Sequence, residues 1–377
     1  MTQALPLPFD DEGLEKEARQ FVAPQWKLVW WKFRKHKVAL VAGVIVILFY
    51  LVALLADFIA PLSPTKTDAK YLYAPPQSLE IEISGGKLQA YVYGYTSKVD
   101  PAALRRTFEI DRGQKIPLSF FAQGAEYRFL GLFDLNTHLF GPTDPDQPMY
   151  LLGADRLGRD LFSRLLLGTR TSLTIGLVGV AFSLLFGIFL GGISGYYGGL
   201  IDTLIQRLIE FLRSVPSIPL WMGLAAAMPL TWPPETVYLA ITIILSLIGW
   251  TGLARVVRGR FLSLREEDFV MAARLDGASE GRIIFRHMLP AFTSHIIASI
   301  TLAIPGMILS ETALSFLGLG LREPVVSWGV LLQDAQQLRS IATAPWLLLP
   351  ALAVVFAVLA LNFFGDGLRD AADPYAR

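Results

Sequence analysis

The sequence predicts an all-α polytopic membrane protein with six transmembrane helices and a partly β insertion. Hydrophobic residues make up 53% of the 377-residue chain and charged residues only 17%, whereas soluble domains carry roughly 25% charged residues. Six segments also hold about 20 mostly apolar residues each, which is the length that crosses a bilayer. They are too long and too uniformly apolar for barrel strands. We therefore expect helices, because backbone groups find no water in the bilayer.

The first predicted span is residues 38–60. It starts too late and runs too long for a signal peptide, and no small-residue cleavage site follows it, so we expect it to be retained. The other predicted spans are 171–197, 214–232, 236–254, 288–310 and 340–365, which place a five-helix core at residues 171–366. Pro216, Pro219 and Pro229 are expected to bend or break the third span.

The residues before the first span are rich in cations. Residues 26–37 read WKLVWWKFRKHK, in which aromatic and basic residues alternate at roughly helical spacing. This pattern is typical of an amphipathic helix in the membrane interface, so we expect residues 1–37 to be a cytoplasmic N-terminus with such a helix. A plain basic anchor for the first span is the alternative.

The distribution of Lys and Arg predicts the orientation. With the N-terminus inside, sixteen of them flank the spans on the cytoplasmic side and eight on the outer side. This difference favours a cytoplasmic N-terminus and a cytoplasmic tail at residues 367–377. An outer cluster opposes the count, namely Arg156, Arg159, Arg164 and Arg170. Asp160 and Arg164 have the i,i+4 spacing of a helical ion pair, which would balance part of that charge.

Residues 61–170 are then one extracytoplasmic insertion. Residues 79–83 and 88–95 alternate in hydrophobicity on either side of Gly85-Gly86, which is a hairpin signal. Residues 120–133 are rich in aromatic residues and are further candidate strands. The insertion is expected either to form a small domain or to pack on the helix bundle.

Residues 255–287 are predicted to be a cytoplasmic loop, and they carry seven Arg and five acidic residues. Residues 268–275 predict a short helix that Gly277 ends. Ser279 is a good N-cap for a second helix running to Arg286, with Glu280 in its first turn. Small residues at the bend would let another surface approach closely, so we expect docking to a partner. A solvated connecting loop is the alternative.

Residues 271–290, MAARLDGASEGRIIFRHMLP, resemble the EAA loop of the membrane subunits of ABC importers. Ala272-Ala273, Gly277 and Leu289-Pro290 lie in register with that pattern, while Met271 and His287 depart from it. Residues 151–173, 311–332 and 362–374 are similar to segments of dipeptide/oligopeptide-type ABC permeases. The resemblance covers residues 151–374 and, more loosely, the first span, and it implies the type I ABC importer permease fold.

That resemblance also implies the partners and the location. They are a second six-span permease subunit, one or two P-loop ATPase subunits that bind ATP and Mg, and an extracytoplasmic solute-binding protein, in the bacterial cytoplasmic (inner) membrane. In this family the loop is the coupling helix that docks onto the ATPase. The expected docking residues are Ala272, Ala273, Gly277, Ala278, Ser279, Glu280 and Arg282. The cargo would be peptides, although the branch also carries nickel, opines and oligosaccharides.

Several kinds of chemistry are excluded by the sequence. No phosphate-binding Gly-x-x-x-x-Gly-Lys-Ser/Thr motif occurs, and no hydrolase or zinc-protease motif, so we expect no ATPase or other catalytic site and no bound cofactor in this chain. The absence of Cys and the four scattered His argue against a metal site. A net charge of +1 gives no case for nucleic acid. An ion-coupled secondary transporter or a membrane receptor subunit without transport remain as alternatives.

Charged residues near span ends are candidates for the pathway or its gate. Glu311 follows a long uncharged run, where an ionisable residue is a functional candidate by default. It could contact a substrate amine or a gate arginine, or simply lie at the membrane boundary. The resemblance places Arg159 and Asp160 near the extracytoplasmic gate, and we include them as candidates.

Glycines recur at every fourth position of the second predicted span and its end, at Gly187, Gly191, Gly195 and Gly199. This spacing puts them on one helix face, where their small size allows close packing against another helix. An interface with a second permease subunit is the alternative.

Overall fold

The computed structural model describes residues 25–84, 87–100, 105–129 and 131–372. Residues 1–24 and 373–377 of the two termini, and Gly85-Gly86, where the sequence predicts a turn, lie outside the described residues. The helices are α1 (Gln25–Phe33), α2 (Lys37–Leu54), α3 (Ala56–Ile59), α4 (Leu161–Tyr197), α5 (Gly199–Ser214), α6 (Ser217–Ala226), α7 (Pro234–Leu264), α8 (Asp268–Leu275), α9 (Glu280–Arg282), α10 (Leu289–Ala291), α11 (Thr293–Phe316), α12 (Trp328–Gln333), α13 (Leu338–Thr343) and α14 (Leu349–Ala372). Ile283–Met288 is π-helical, and Asp334–Gln336 and Pro345–Leu348 are 3-10 turns.

Five helices of the described part are long and apolar enough to cross a membrane. They lie in α2, α4, α7 and α11 and in the segment Pro345–Ala372 that contains α14. These spans make the chain a mostly helical membrane protein, and five of the six segments expected from the sequence coincide with them.

The predicted third span, residues 214–232, is not one continuous helix. Helix α5 ends at Ser214, and Val215 adopts an extended conformation because the ring of Pro216 excludes the helical conformation from the residue before it. Helix α6 then covers the ten residues Ser217–Ala226. At 1.5 Å per residue α6 is about 15 Å long, roughly half of the hydrocarbon thickness.

Three predicted boundaries also differ from the observed ones. Helix α4 begins at Leu161, so its first turns fall within the predicted insertion 61–170. Helix α7 continues to Leu264, so the first part of the predicted loop 255–287 is helical. The helix expected from residue 288 begins at Thr293, after a break at Phe292 with φ −130°. In the first two cases polar and charged residues continue a helix beyond its apolar run.

The largest apolar cluster joins the long helices α4, α7, α11 and α14, through residues such as Ile175, Leu245, Ile308 and Leu361. Helix α2 packs on α14, and its Gly43 faces the ring of Phe364. A separate cluster joins the C-terminal part of α7 to the residues that follow it. The protein therefore has a central packed bundle and a second small core at one end of α7.

Between α3 and α4 the chain forms a four-stranded antiparallel sheet. Its strands are β1 (Glu80–Ser84), β2 (Lys87–Asp100), β3 (Arg105–Phe129) and β4 (Phe133–Pro142), in the order β1-β2-β3-β4. Val92 and Ile116 on neighbouring strands pack against Met149 in a small core. His138 of β4 is hydrogen-bonded to the carbonyl oxygen of Asp57 in α3, at 2.9 Å. This bond attaches the sheet to the end of the first span.

Candidate functional site

The segment 268–288 consists of two helical pieces that meet at Gly277. Helix α8 ends in a Schellman motif, in which the Ala278 N–H donates to the Ala273 carbonyl at 3.1 Å and the Gly277 N–H donates to the Arg274 carbonyl at 3.0 Å. Gly277 has φ +73°, in the left-handed region where a side chain is strained. The glycine therefore fixes the angle between the two pieces.

The two faces of the 268–288 segment differ in what they contact. The inner face buries Val270, Ala273 and Ile283 against Val257 and Phe261 of α7. The outer face leaves four large apolar side chains exposed, namely Phe269 (42%), Met271 (47%), Phe285 (63%) and Leu275 (87%). The segment is thus held on α7 while these four apolar side chains stay uncovered by the described part of the chain.

The structure separates the seven expected docking residues by exposure. Ala272, Gly277, Ser279, Glu280 and Arg282 are exposed, and Ala278 is half-buried. Ala273 is buried and faces α7, so it cannot be part of the outer surface. Ser279 occupies the N-cap position without a capping side-chain hydrogen bond, and the second helix is α-helical only over Glu280–Arg282 before it becomes π-helical. The expected α-helix to Arg286 is therefore wrong beyond Arg282.

Two aromatic residues at the end of α4 contact the 268–288 segment. The Tyr197 hydroxyl donates to Glu280 Oε2 at 2.7 Å, and the Arg274 guanidinium lies 5.4 Å from the centroid of the Tyr196 ring. Beside them, Arg258 of α7 donates twice to the carboxylate of Asp202 in α5, at 2.5 Å each. The segment therefore contacts the ends of α4 and α7 directly, and α5 is joined to these ends through the Arg258–Asp202 pair.

At the other end of α4 lies an ionic cluster formed by Asp155, Arg159, Arg164 and Glu323. Arg159 donates to Asp155 Oδ2 at 2.7 Å and to Glu323 Oε1 at 2.6 Å. Arg164 donates to the same two atoms, reaching Glu323 at 3.0 Å. The side chains of Asp155 and Arg164 are each 1% exposed and that of Glu323 is 36% exposed. Two cations and two anions thus neutralise one another in a largely buried site.

Asp160 does not form the expected ion pair with Arg164. Its carboxylate caps α4 by accepting from the N–H groups of Phe162 at 3.3 Å and Ser163 at 2.7 Å. Because Asp155 lies nearer the guanidinium, Arg164 pairs there instead. Burial raises the pKa of Asp160 to about 6, although the hydrogen bonds from Ser163 oppose this shift. The hydrogen bond from Arg159 lowers the pKa of Glu323 to about 2.

The other two arginines of this region also have carboxylate partners. Arg156 donates to Asp334 at 2.8 Å and Arg170 donates to Asp57 at 2.7 Å. The four arginines that opposed the orientation count are therefore all paired with acids. Their net contribution to the charge of that side is much smaller than a count of Lys and Arg suggests.

Glu311 is fully buried and surrounded by hydroxyl groups. Its carboxylate accepts from Ser172 at 3.3 Å, from Ser315 at 2.8 Å and from Ser327 at 2.7 Å. The Trp328 N–H in turn donates to the Ser172 hydroxyl at 3.1 Å. These bonds join α4, α11 and the start of α12, so in this conformation Glu311 links three elements and is closed off from solvent.

Three of the four glycines lie where α4 crosses α7. A Cβ at Gly191 would overlap the backbone of Ala254, and one at Gly195 would lie 2.6 Å from the Arg258 carbonyl oxygen. A Cβ at Gly187 would lie 2.9 Å from the side chain of Leu253. Gly199 differs, because α4 already ends at Tyr197 and Gly199 has φ +57° with nothing within 4 Å. The expected packing role is wrong for Gly199, which is the first residue of α5.

Glu323 and the three serines around Glu311 were not among the residues expected from the sequence. Glu323 lies 164 residues from Arg159 along the chain. A lone acid in a loop, or single serines in apolar helices, give no local pattern that pairs them with distant groups. The excess of arginine over acid in residues 155–170 was the one signal that a further carboxylate had to be close by.

Long apolar helices around a central packed core, with charged groups paired at one end and a helical segment built on α7 at the other, define a polytopic integral membrane protein. Residues 184–377 match the family model described as the binding-protein-dependent transport system inner membrane component. Residues 24–76 match the N-terminal transmembrane domain of oligopeptide transport permease C. The chain belongs to this family of binding-protein-dependent inner-membrane transport components.

Individual relatives agree with this assignment. A dipeptide transport system permease protein of Lactococcus lactis is 32% identical over 97% of this chain and 94% of its own length. A dipeptide permease of Alkalihalophilus pseudofirmus is 42% identical over 59% of this chain and 71% of its own length. An oligopeptide permease of Haemophilus influenzae is 41% identical over 60% of this chain and 71% of its own length. These matches confirm the resemblance to dipeptide/oligopeptide-type permeases.

Among solved structures, an inward-facing methionine ABC transporter aligns with 55% of this chain and 96% of its own chain. The identity is 18% and the TM-score is 0.44, a likeness too low to bear on the fold.

Proposed function

We propose that this chain is the permease subunit of an ATP-driven importer and forms half of a translocation pathway for peptides. An extracytoplasmic binding protein would deliver the peptide, and a second six-span permease would supply the other half of the pathway. One or two P-loop ATPase subunits would bind ATP and Mg. The family membership and the dipeptide and oligopeptide names of the relatives support this proposal. Oligosaccharides, opines and nickel complexes are the alternative cargoes.

The observation that carries the proposal is the outer face of the 268–288 segment. Several large apolar side chains exposed on one short segment favour a contact site for a partner protein, and this segment is packed against α7. An ATPase that docked on this face would move the end of α4 through the contacts of Tyr197 and Arg274. It would move α7 through the packing of the segment, and α5 through the Arg258–Asp202 pair between α7 and α5. The segment would thus act as the coupling element between ATP binding and the spans.

The proposed topology places both termini and residues 265–288 on the cytoplasmic side. The sheet and the ionic cluster then lie on the extracytoplasmic side, where Arg159, Asp160 and Glu311 would belong to the outer gate. Together with α5, helix α6 and its flanking residues would complete the sixth crossing. In this arrangement the gate opens when the segment carrying Glu323 and Ser327 separates from α4 and α11. Glu323 binds Arg159, just before the start of α4, and Ser327 binds Glu311 in α11.

An ion-coupled secondary transporter is less well supported. Its mechanism needs intramembrane carboxylates that an ion can reach. Glu311 is sealed by three hydroxyls, and Asp57 is paired with Arg170. Membership of a family of binding-protein-dependent transport components also favours an ATP-driven importer over a secondary transporter.

A substitution at Ala272 tests the docking step. Ala272→Glu places a charge on the exposed face without disturbing the core, whereas the same change at Ala273 would disrupt packing on α7. We expect the variant to reach the membrane at the normal level but to lose co-purification of the ATPase and at least about tenfold of its peptide uptake. The matched control is Ala69→Glu, at an exposed alanine outside the spans. Normal ATPase recovery and uptake in Ala272→Glu would refute the proposed coupling role.

The same preparation tests the cargo. Uptake of labelled peptides of increasing length is compared with uptake of an oligosaccharide and of a nickel chelate. Preference for one of the latter would leave the importer architecture in place and replace the peptide cargo.

A further inference from the structure

The corner between α1 and α2 is strongly basic and firmly seated. Residues 25–37 contain five Lys and Arg and no acidic residue. Phe33 is 4% exposed and meets the ring of Phe364 edge-on at 5.6 Å between centroids. Ala39, at the start of α2, packs against Gly367, where a Cβ would overlap it. Two contacts with α14 therefore fix the corner in one orientation.

Three cations of the corner point outward. Arg34, Lys35 and Lys37 are all exposed, and none of them takes part in an ion pair found among the described residues. His36 between them caps α2, because its Nδ1 accepts from the Ala39 N–H at 3.2 Å. The cap holds the backbone of the turn, so the three cations lie close together along the chain at the start of the first span.

An apolar stripe continues from these cations along α2. Val38, Val41, Ile45 and Leu48 are 54%, 62%, 37% and 54% exposed, and their spacing places them on one helix face. Trp30 beside the corner is 49% exposed, and tryptophan favours the headgroup level of a membrane. Cations at the end of a span and an apolar stripe below them match a molecule with an anionic head and an apolar tail.

Other occupants fit this surface less well. A soluble acidic protein could contact the cations but would leave the stripe uncovered. A neighbouring membrane helix could cover the stripe, but it would need acidic residues placed at the headgroup level. A phospholipid in the surrounding bilayer satisfies both parts of the surface at once.

We propose that the α1–α2 corner binds the headgroup of an anionic phospholipid. Arg34, Lys35 and Lys37 surround the phosphate, and one acyl chain lies along the stripe from Val38 to Leu48. Cations near an anionic membrane surface contribute about 1 kcal/mol each to such binding, or about fivefold in affinity. The lipid would hold α1 against α14 and so link the membrane composition to the position of the last span.

The test compares lipid retention in wild-type and variant complexes. The whole transport complex is reconstituted in nanodiscs with equal amounts of phosphatidylglycerol and phosphatidylcholine, and native mass spectrometry counts the lipids that stay bound. We expect the triple variant Arg34→Gln, Lys35→Gln, Lys37→Gln to lower the ratio of retained phosphatidylglycerol to phosphatidylcholine by on the order of a hundredfold, because the effects of the three cations multiply. The charge-preserving variant Arg34→Lys, Lys35→Arg, Lys37→Arg should retain the lipid.

A matched control removes the same number of cations from another surface, through Lys66→Gln, Lys98→Gln and Arg128→Gln. It should leave the lipid ratio unchanged. A second measurement needs no variant: added salt should release phosphatidylglycerol from the wild-type complex but leave phosphatidylcholine bound, because salt screens exposed charges.

Any of three results would overturn the proposal. The first is an unchanged lipid ratio in the triple variant, and the second is equal salt sensitivity of the two lipids in the wild type. The third is loss of the second membrane subunit from the triple variant with normal lipid retention, which would make the corner a protein interface. Peptide uptake plays no part in any of these readouts, so a different cargo would leave this result intact.

Discussion

The ionic cluster and the 268–288 segment lie at opposite ends of α4 and differ in how their groups are satisfied. In the cluster, Arg159 and Arg164 meet the carboxylates of Asp155 and Glu323 within the chain. The segment instead exposes small residues and large apolar side chains such as Leu275. A closed site acts on the stability of the protein itself, whereas an open one acts through a partner. Substitutions at the two ends should therefore change different observables.

Asp155→Asn should have the largest effect on stability. The substitution keeps the size of the side chain but leaves two buried guanidinium groups with a single carboxylate. Removing one partner from a buried ion pair costs about 3–5 kcal/mol. We expect a loss of that order in the free energy of unfolding, measured by denaturation of the purified protein in detergent.

The exposed pair Arg128–Asp134 provides the matched control, because both side chains are more than two-thirds exposed, at 71% and 78%. Asp134→Asn should cause no measurable change, as exposed pairs contribute little. An equally small effect of Asp155→Asn would mean that water reaches the cluster, and the contrast between the two ends of α4 would then fail.

Asp160 offers a pH-dependent version of the same contrast. Its pKa in the folded protein is about 6, above the ordinary value of 3.8. A raised pKa means that folding favours the protonated carboxyl. The resulting stabilisation is complete below pH 3.8 and is lost as the pH rises through about 6.

Asp160→Asn cannot ionise and asparagine is an equally good N-cap. The variant should show no such loss across this pH range and should be up to roughly 2–3 kcal/mol more stable than the wild type above pH 6. Thermal unfolding midpoints on either side of that pH measure the difference, with the exposed Asp146→Asn as the control. If the unfolding midpoints of the wild type and of Asp160→Asn changed in parallel with pH, Asp160 would stay ionised in the folded protein.

The sequence predicts the helices better than it predicts their contacts. Apolar runs mark the spans because only helices satisfy the backbone in a bilayer, and α8 is bounded by the acid and glycine signals that predict it. Prolines in residues 214–232 allow either a bent span or two helices, and the local sequence does not choose between them. The outcome depends on how α5 and α6 pack against α7.

Side-chain pairing is the part that a sequence without structure leaves open. Arg164 has an acid at i−4, Asp160, and that spacing predicts a pair. In the fold, Asp160 is engaged by the first N–H groups of α4, and Arg164 turns to Asp155 and Glu323. The burial of Ala273 and exposure of Ala272 likewise depend on which face of α8 meets α7. Both outcomes are set by tertiary packing.

Tyr197→Phe should have the smallest effect, and it probes the open end of α4. The variant loses the hydrogen bond from Tyr197 to Glu280. Because both side chains are exposed, water replaces the lost partner, and a net contribution of about 1 kcal/mol corresponds to about fivefold in an equilibrium. We expect ATPase recovery to stay normal while the number of peptides imported per ATP hydrolysed falls by about twofold to fivefold.

Tyr91→Phe, which removes a tyrosine hydroxyl from the sheet, should leave this ratio unchanged. Complete loss of import in Tyr197→Phe with the ATPase still bound would contradict this expectation, because an exposed contact would then carry the whole coupling between the segment and α4.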